Sequence, residues 1–154
     1  MKKILVSCAS GLLLALSVAA APGSKIVEQF KKTFPNAVNV KWNEAEGGYF
    51  VSFYENGNFE KILYNKKGAF MRSWKYSDGK DLPTNIVMTL NKKVSSGTIK
   101  GVTETTSGNS TSYEVKVEKN DKLYCLNIAA NGTVTGEEEF TNANANKPVN
   151  TAKN

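Results

Sequence analysis

The chain has 154 residues, a formal net charge of +6, two cysteines and no histidine. Its length fits one domain. Without histidine the commonest general base and metal ligand are missing, and the basic charge is too mild and too interspersed with acid for a nucleic-acid footprint.

The N-terminal stretch reads as an export signal. Lys2 and Lys3 precede an apolar run through Leu12, Leu13, Leu14, Leu16 and Val18, closed by Ala19, Ala20 and Ala21. This is a charged start, an apolar middle and a small-residue cleavage site, too short and wrongly flanked for a membrane span. Cleavage is expected after Ala20, because one position later Pro22 would abut the scissile bond. Leu5-Val6-Ser7-Cys8 has the look of an acylation site, but the apolar run follows the cysteine instead of ending at it, so lipid anchoring at Cys8 is not expected. Setting Lys2 and Lys3 aside lowers the charge from +6 to +4. Only Cys125 then remains, which excludes a disulfide scaffold. Its setting in LYCLNI is strand-like and favours a half-buried apolar role over a reactive one.

Ser24 onward has helical periodicity, with Ile26, Val27, Phe30 and Phe34 on one stripe. Ser24 is the expected N-cap, and Pro35 ends the helix near Phe34. VNVKW, GYFVSFYEN, FEKILYN and AFMRSWKY follow as strands, separated by turns at Gly47-Gly48, Asn56-Gly57 and Lys67-Gly68. Asp81-Leu82-Pro83 opens a second helix, with Pro83 in its first turn and Ile86, Val87, Leu90 and Val94 as its apolar stripe. TIKGVTE, SYEVKVEK, KLYCLNIA and TVTGEEEF are the later strands. The polar, Asn-rich tail cannot bury enough to order itself and is expected to be disordered.

The chain repeats itself. A shift of 64 positions lays Tyr49 on Tyr113, Val51 on Val115, Phe53 on Val117, Asn56 on Asn120 and Gly68 on Gly132 without a gap. The helices match at an offset of 60, Ile26-Val27 on Ile86-Val87, so a small insertion lies between helix and strands. The expected class is α+β: two tandem repeats of one helix plus about four antiparallel strands, sharing a sheet with the helices on one face. The boundaries are 1–20 for the signal, 21–80 and 81–140 for the repeats, and 141–154 for the tail.

Phe34-Pro35-Asn36-Ala37, Lys41-Trp42, Tyr49 to Phe53, Gly68, Trp74 and Asp81-Leu82-Pro83 carry a resemblance. Over residues 24 to about 140 the chain resembles the β-lactamase-inhibitor-like, PepSY-like domains of exported bacterial proteins. The resemblance implies one sheet across both repeats, helices on one side, and an open face with which the namesake inhibitor grips its target. It supplies no catalytic or metal-binding residue and implies no cofactor. The second repeat departs from the pattern, since Trp74 meets Glu138.

Catalytic chemistry is not expected. In Glu137-Glu138-Glu139 only Glu137 and Glu139 share a strand face, and a solvated edge strand explains the run better than a cation site. Ser52, Ser73 and Ser95 lack a base or a nucleophile elbow. Asp78 and Asp81 lie in a linker, where helix capping is the expected role.

The informative asymmetry lies between the repeats. Tyr49, Val51 and Phe53 match apolar residues and belong under the helices. On the other face Phe50 meets Glu114, Ser52 meets Lys116, Tyr54 meets Glu118 and Leu63 meets Asn127, though Phe59 and Lys61 meet Leu123 and Cys125. A water-facing sheet should be polar there, as the second repeat largely is. Phe50, Tyr54, Phe59 and Leu63, with Met71, form a candidate exposed apolar patch, and Lys61 and Lys75 its basic rim. An aromatic centre with a charged rim is the build of a protein interface. Trp42 and Trp74 are assigned to helix–sheet packing. The expected partner is another exported protein or a second copy, in the periplasm, with no nucleic acid and no stable membrane insertion. The alternatives are a carrier of a small apolar or glycan ligand on the same face, and a patch covered by the 78–82 linker, the tail or a dimer.

Overall fold

Glycines and asparagines at the turns divide an otherwise strand-rich chain into short antiparallel runs, and each set of four is preceded by a helix. In the computed structural model residues 22–141 are described. The signal, Cys8 and nearly all of the tail fall outside them. Helix α1 spans Ser24–Thr33 and is followed by β1 (Val38–Ala45), β2 (Gly48–Glu55), β3 (Asn58–Asn65) and β4 (Phe70–Ser77). The second unit repeats the order with α2 (Thr84–Lys93), β5 (Thr98–Ser107), β6 (Ser110–Lys119), β7 (Lys122–Ala129) and β8 (Val134–Thr141). All eight strands form one antiparallel sheet in sequence order, β4 pairing with β5 to join the units.

The helix ends differ slightly from expectation. Gly23 and Pro83 occupy the N-cap positions, and neither helix has a side-chain cap. Ser24 is therefore the first helical residue instead of the cap, and Pro83, whose ring fixes φ, stands one position before the first turn. Asp81 caps no helix. Asp78 instead accepts a hydrogen bond from the Lys80 backbone N–H at 3.1 Å and pairs with the Lys80 ammonium at 2.6 Å. At the other end α1 closes near Phe34 as expected, the Phe34 N–H bonding the Phe30 carbonyl at 2.9 Å.

Each helix covers its own core. Ile26 and Phe30 of α1 pack on Val51, Phe53, Ile62 and Tyr64, with Phe34 and Trp42 alongside. Ile86, Leu90 and Val94 pack on Val102, Tyr113, Val115, Val117, Leu126 and Ile128. The ring centroids of Phe30 lie 5.0 Å from Phe53 and 5.5 Å from Trp42, both edge-on, the geometry aromatic quadrupoles favour. Trp42 thus serves helix–sheet packing. β4 contributes to neither core. Midway along it the helix-side residues are Ser73 and Lys75, in register with Ile62 and Glu60 on one side and Thr106 and Glu104 on the other, with Phe70 opposite Tyr64 and Ser77 opposite Val102 at its ends. A polar seam, Glu60–Lys75–Glu104, therefore runs between the two cores.

The irregularities repeat as faithfully as the strands. Both units carry a bulge early in the first strand, at Val38/Lys41 and Ile99/Gly101. Both carry another early in the fourth strand, where Met71 and Thr135 are the extra residues. The change of offset from 60 to 64 falls at the β5–β6 hairpin, whose strands have 10 residues each against 8 in β1 and β2. The added length carries Ser107, which pairs with Arg72 and extends the seam between the units.

Candidate functional site

A bulge adds one residue to a strand and so moves every later side chain to the opposite face. Without the bulge at Met71, Tyr64 opposite Phe70 would put Ser73 and Lys75 on the open face and Trp74 under the helices. With it, Lys61 faces Trp74, Leu63 faces Arg72 and Phe59 faces Tyr76. Two expectations are corrected. Lys75 lies on the helix side, opposite Glu60, and is no part of the open-face rim. Trp74 lies on the open face instead of in helix–sheet packing. Met71, exposed, is the bulged residue itself and pairs with no partner in the register.

Phe50, Tyr54, Phe59, Lys61 and Leu63 do share the open face, because the two-residue turn at Asn56-Gly57 keeps β2 and β3 in strict alternation. Trp74, Tyr76 and Arg72 join them. The rings form two linked groups. Phe50 lies 5.9 Å from Trp74, while Tyr54 lies 5.2 Å from Phe59, which lies 5.7 Å from Tyr76. The Lys61 ammonium sits 4.4 Å above the Phe50 ring and the Arg72 guanidinium 5.7 Å from the Trp74 ring. Such cation–π contacts at an exposed site are worth about 0.5–1 kcal/mol each, and they hold the two cations over the aromatic surface.

Phe50, Phe59 and Trp74 are half-buried in this packing, and the two tyrosines are open to water. Tyr54 is 44% and Tyr76 41% exposed, and the 78–82 linker borders the strip without closing over it. Two shallow depressions flank the Tyr54–Phe59 pair. One, of about 570 Å³, runs from these rings and Tyr76 to Asp78, Lys80 and Asp81 in the linker. The other, of about 460 Å³, lies on the β1 side, between the same rings and Asn39, Val40, Lys41 and Ser52.

On the second unit the corresponding open-face positions hold Glu114, Glu118, Leu123, Cys125, Asn127, Gly136, Glu138 and Phe140. Glu114 pairs with Lys116 at 3.5 Å, and Glu118 pairs with Lys100. Half-buried Cys125 has its thiol pKa raised, by desolvation first and by Glu114 and Glu138, against a lowering by Lys116. That favours the unreactive thiol. Glu137 and Glu139 share the helix side as alternation requires, and pair with Lys93 of α2 and with Lys122. Among the described residues there is no group of three or more His, Cys, Asp or Glu side chains placed to hold a metal ion.

Solved structures share this fold. A BLIP-like protein of Bacteroides fragilis superposes with a TM-score of 0.62 at 20% identity, over 83% of this chain and 93% of that one. The chain has the BLIP-like fold. A Bacteroides eggerthii protein whose name assigns it to the periplasm matches with a TM-score of 0.62 at 18% identity, over 82% of this chain and 94% of that one. A DUF2874 family protein of Bacteroides uniformis matches at 0.61 and 19%, over 78% and 90%. The sequence itself matches no family model and no curated protein. At such identities the likeness bears on the BLIP-like fold alone, and the open face must be read from this chain's own residues.

Proposed function

We propose that this chain is an exported, non-catalytic protein-binding module, inhibitor- or adaptor-like, working without a cofactor. It binds through the open sheet face of its first unit: Phe50, Tyr54, Phe59, Lys61 and Leu63, extended by Arg72, Trp74 and Tyr76, with Met71 at the margin. The carrying observation is the inequality of two otherwise congruent units. At three matching positions one presents the rings of Phe50, Tyr54 and Trp74 and the other the carboxylates of Glu114, Glu118 and Glu138. Leaving large apolar side chains in water forgoes about 1.5–3 kcal/mol each, and a contiguous patch of them is the mark of an interaction site. Export rests on the charged, apolar and small-residue order of positions 1–20. The periplasmic name of the B. eggerthii neighbour agrees with it.

The open shape of the depressions favours a macromolecule over a small ligand, since ligand sites are enclosed and bury most of their ligand's surface. The test is crosslinking in an envelope extract of the host, wild type against Phe50→Glu/Tyr54→Glu. The reading expects specific adducts of the wild type to vanish in the variant, with its circular dichroism unchanged. An identical adduct pattern from a folded variant would sink it.

A further inference from the structure

The carboxylates on the strands of the first unit are confined to one sheet face. On the open face of β1–β4 the register places Lys41, Lys61 and Arg72, and no Asp or Glu. The acidic strand residues of that unit, Glu44, Glu55 and Glu60, all lie on the helix side. Among the strand residues the interspersed signs of the sequence thus resolve, in space, into an aromatic strip whose charged neighbours on β1–β4 are cations, with Asp78 and Asp81 of the linker bordering it only beside Tyr76. On the second unit's open face carboxylates predominate, and two of them are engaged by lysines of the same chain, Glu114 by Lys116 and Glu118 by Lys100.

From this we infer that the partner of the first unit is an acidic protein segment: an apolar or aromatic side chain flanked by carboxylates. The inference rests on the proposed protein-binding role of that face and names the chemistry of what it binds. The depression on the β1 side is the better seat for the anchor. Val40, Tyr54 and Phe59 supply its apolar wall, Lys41 its charge, and no carboxylate lines it. The other depression has Asp78 and Asp81 at its rim, which would repel the flanks. Residues 1–21 and 142–154 contain lysines and no Asp or Glu, so neither terminal segment matches the strip in charge. A second copy matches less well than a separate partner, because ion pairs within the second unit already engage two of its three open-face carboxylates, Glu114 and Glu118.

Fluorescence anisotropy on the full chain tests this. The probes are a labelled peptide with a Trp-Leu core flanked by Asp and Glu, the same core flanked by Lys, and the acidic flanks around a Ser-Gly core. The first should bind, and more weakly as salt rises. Each of the other two should bind at least about tenfold more weakly, as the loss of two or more partly exposed charge pairs or of an aromatic anchor implies. Lys41→Met/Lys61→Met should cost about tenfold in affinity for the first peptide, while Lys66→Met/Lys67→Met, in the β3–β4 turn, should change little. Equal or tighter binding of the Lys-flanked peptide overturns the inference, as does indifference to Lys41→Met/Lys61→Met, or no binding of the acidic peptide. A salt-sensitive dimer in sedimentation, abolished by Lys61→Met and by Glu114→Gln, would overturn it in favour of a second copy. In each case the crosslinking comparison of wild type with Phe50→Glu/Tyr54→Glu still reports whether the face binds protein at all. The acidic-partner inference can therefore fail while the binding role stands.

Discussion

At the scale of single residues, two glycines show how the helix is seated on the sheet. Gly57 and Gly68 both have positive φ, +82° and +84°, but in different surroundings. A methyl group on Gly57 would meet nothing within 4 Å, whereas one on Gly68 would lie 2.9 Å from Ile26 Cγ1 of α1. Gly57→Ala should therefore cost only the left-handed backbone penalty, about 1–2 kcal/mol. Gly68→Ala should add an overpacking cost of about 1–3 kcal/mol against the helix. Urea unfolding of the two variants checks the order; equal losses would mean that Ile26 does not rest on that turn. In the second unit Gly132 occupies the matching place, where its carbonyl accepts a hydrogen bond from Thr89 of α2 at 2.8 Å. The turn glycines that reveal the repeat in the sequence are thus also the contact points of the helices.

At the scale of elements, β4 decides what the open face looks like. It lies between the footprints of the two helices, so the middle of its helix side needs no large apolar group and carries Ser73 and Lys75. Phe70, before the bulge, keeps the helix-side register opposite Tyr64, whereas the bulge at Met71 turns Trp74 and Tyr76 to the open face. A register test follows. With Cys125 replaced by serine, Lys61→Cys/Trp74→Cys should oxidise to a disulfide, because directly opposed cross-strand residues come within reach. Lys61→Cys/Ser73→Cys should not, since Ser73 points to the other face. The reverse result would remove the bulge.

The same element sets a pH dependence. Glu60, on the helix side between strands, has its carboxyl pKa raised above the ordinary range by desolvation, partly offset by Lys75, with Glu55 and Glu104 adding to the rise. The folded state thus binds this proton more tightly than the unfolded chain does. The stabilising contribution is full below about pH 4.5 and is lost as pH rises through the raised value. Glu60→Gln lacks that loss. Its urea midpoint relative to wild type should climb between about pH 4 and pH 7; a constant or falling difference would contradict the assignment.

At the scale of the whole molecule, the strand alternation and turn glycines made the two units, their shared sheet and the helix side legible in the sequence. A short two-residue turn conserves alternation, which is why Phe50, Tyr54, Phe59, Lys61 and Leu63 were readable as one face. Arg72, Trp74 and Tyr76 were not, because a bulge leaves no residue signature and a tryptophan in a small domain is expected in a core. Parity counted straight through β4 puts Lys75 on the open face for the same reason, because the strand contains an extra residue. The repeat itself carries the contrary signal. Trp74 and Glu138 occupy matching positions, and a site that accepts Glu138 in one copy is poorly explained as core in the other.

Seen whole, the sheet presents one aromatic and basic half and one half in which carboxylates predominate and are largely paired within the chain. Its outer edges are blunted by the bulge in β1 and by the glutamates of β8, as free sheet edges usually are. This chain therefore carries its own control for recognition. A photo-crosslinking amino acid placed at Tyr54 and, separately, at Glu118 occupies equivalent positions on the two halves. In intact host cells the account predicts a discrete adduct from position 54 and none from position 118. Equal adducts from both positions, or none from 54 in a correctly exported and folded protein, would contradict it.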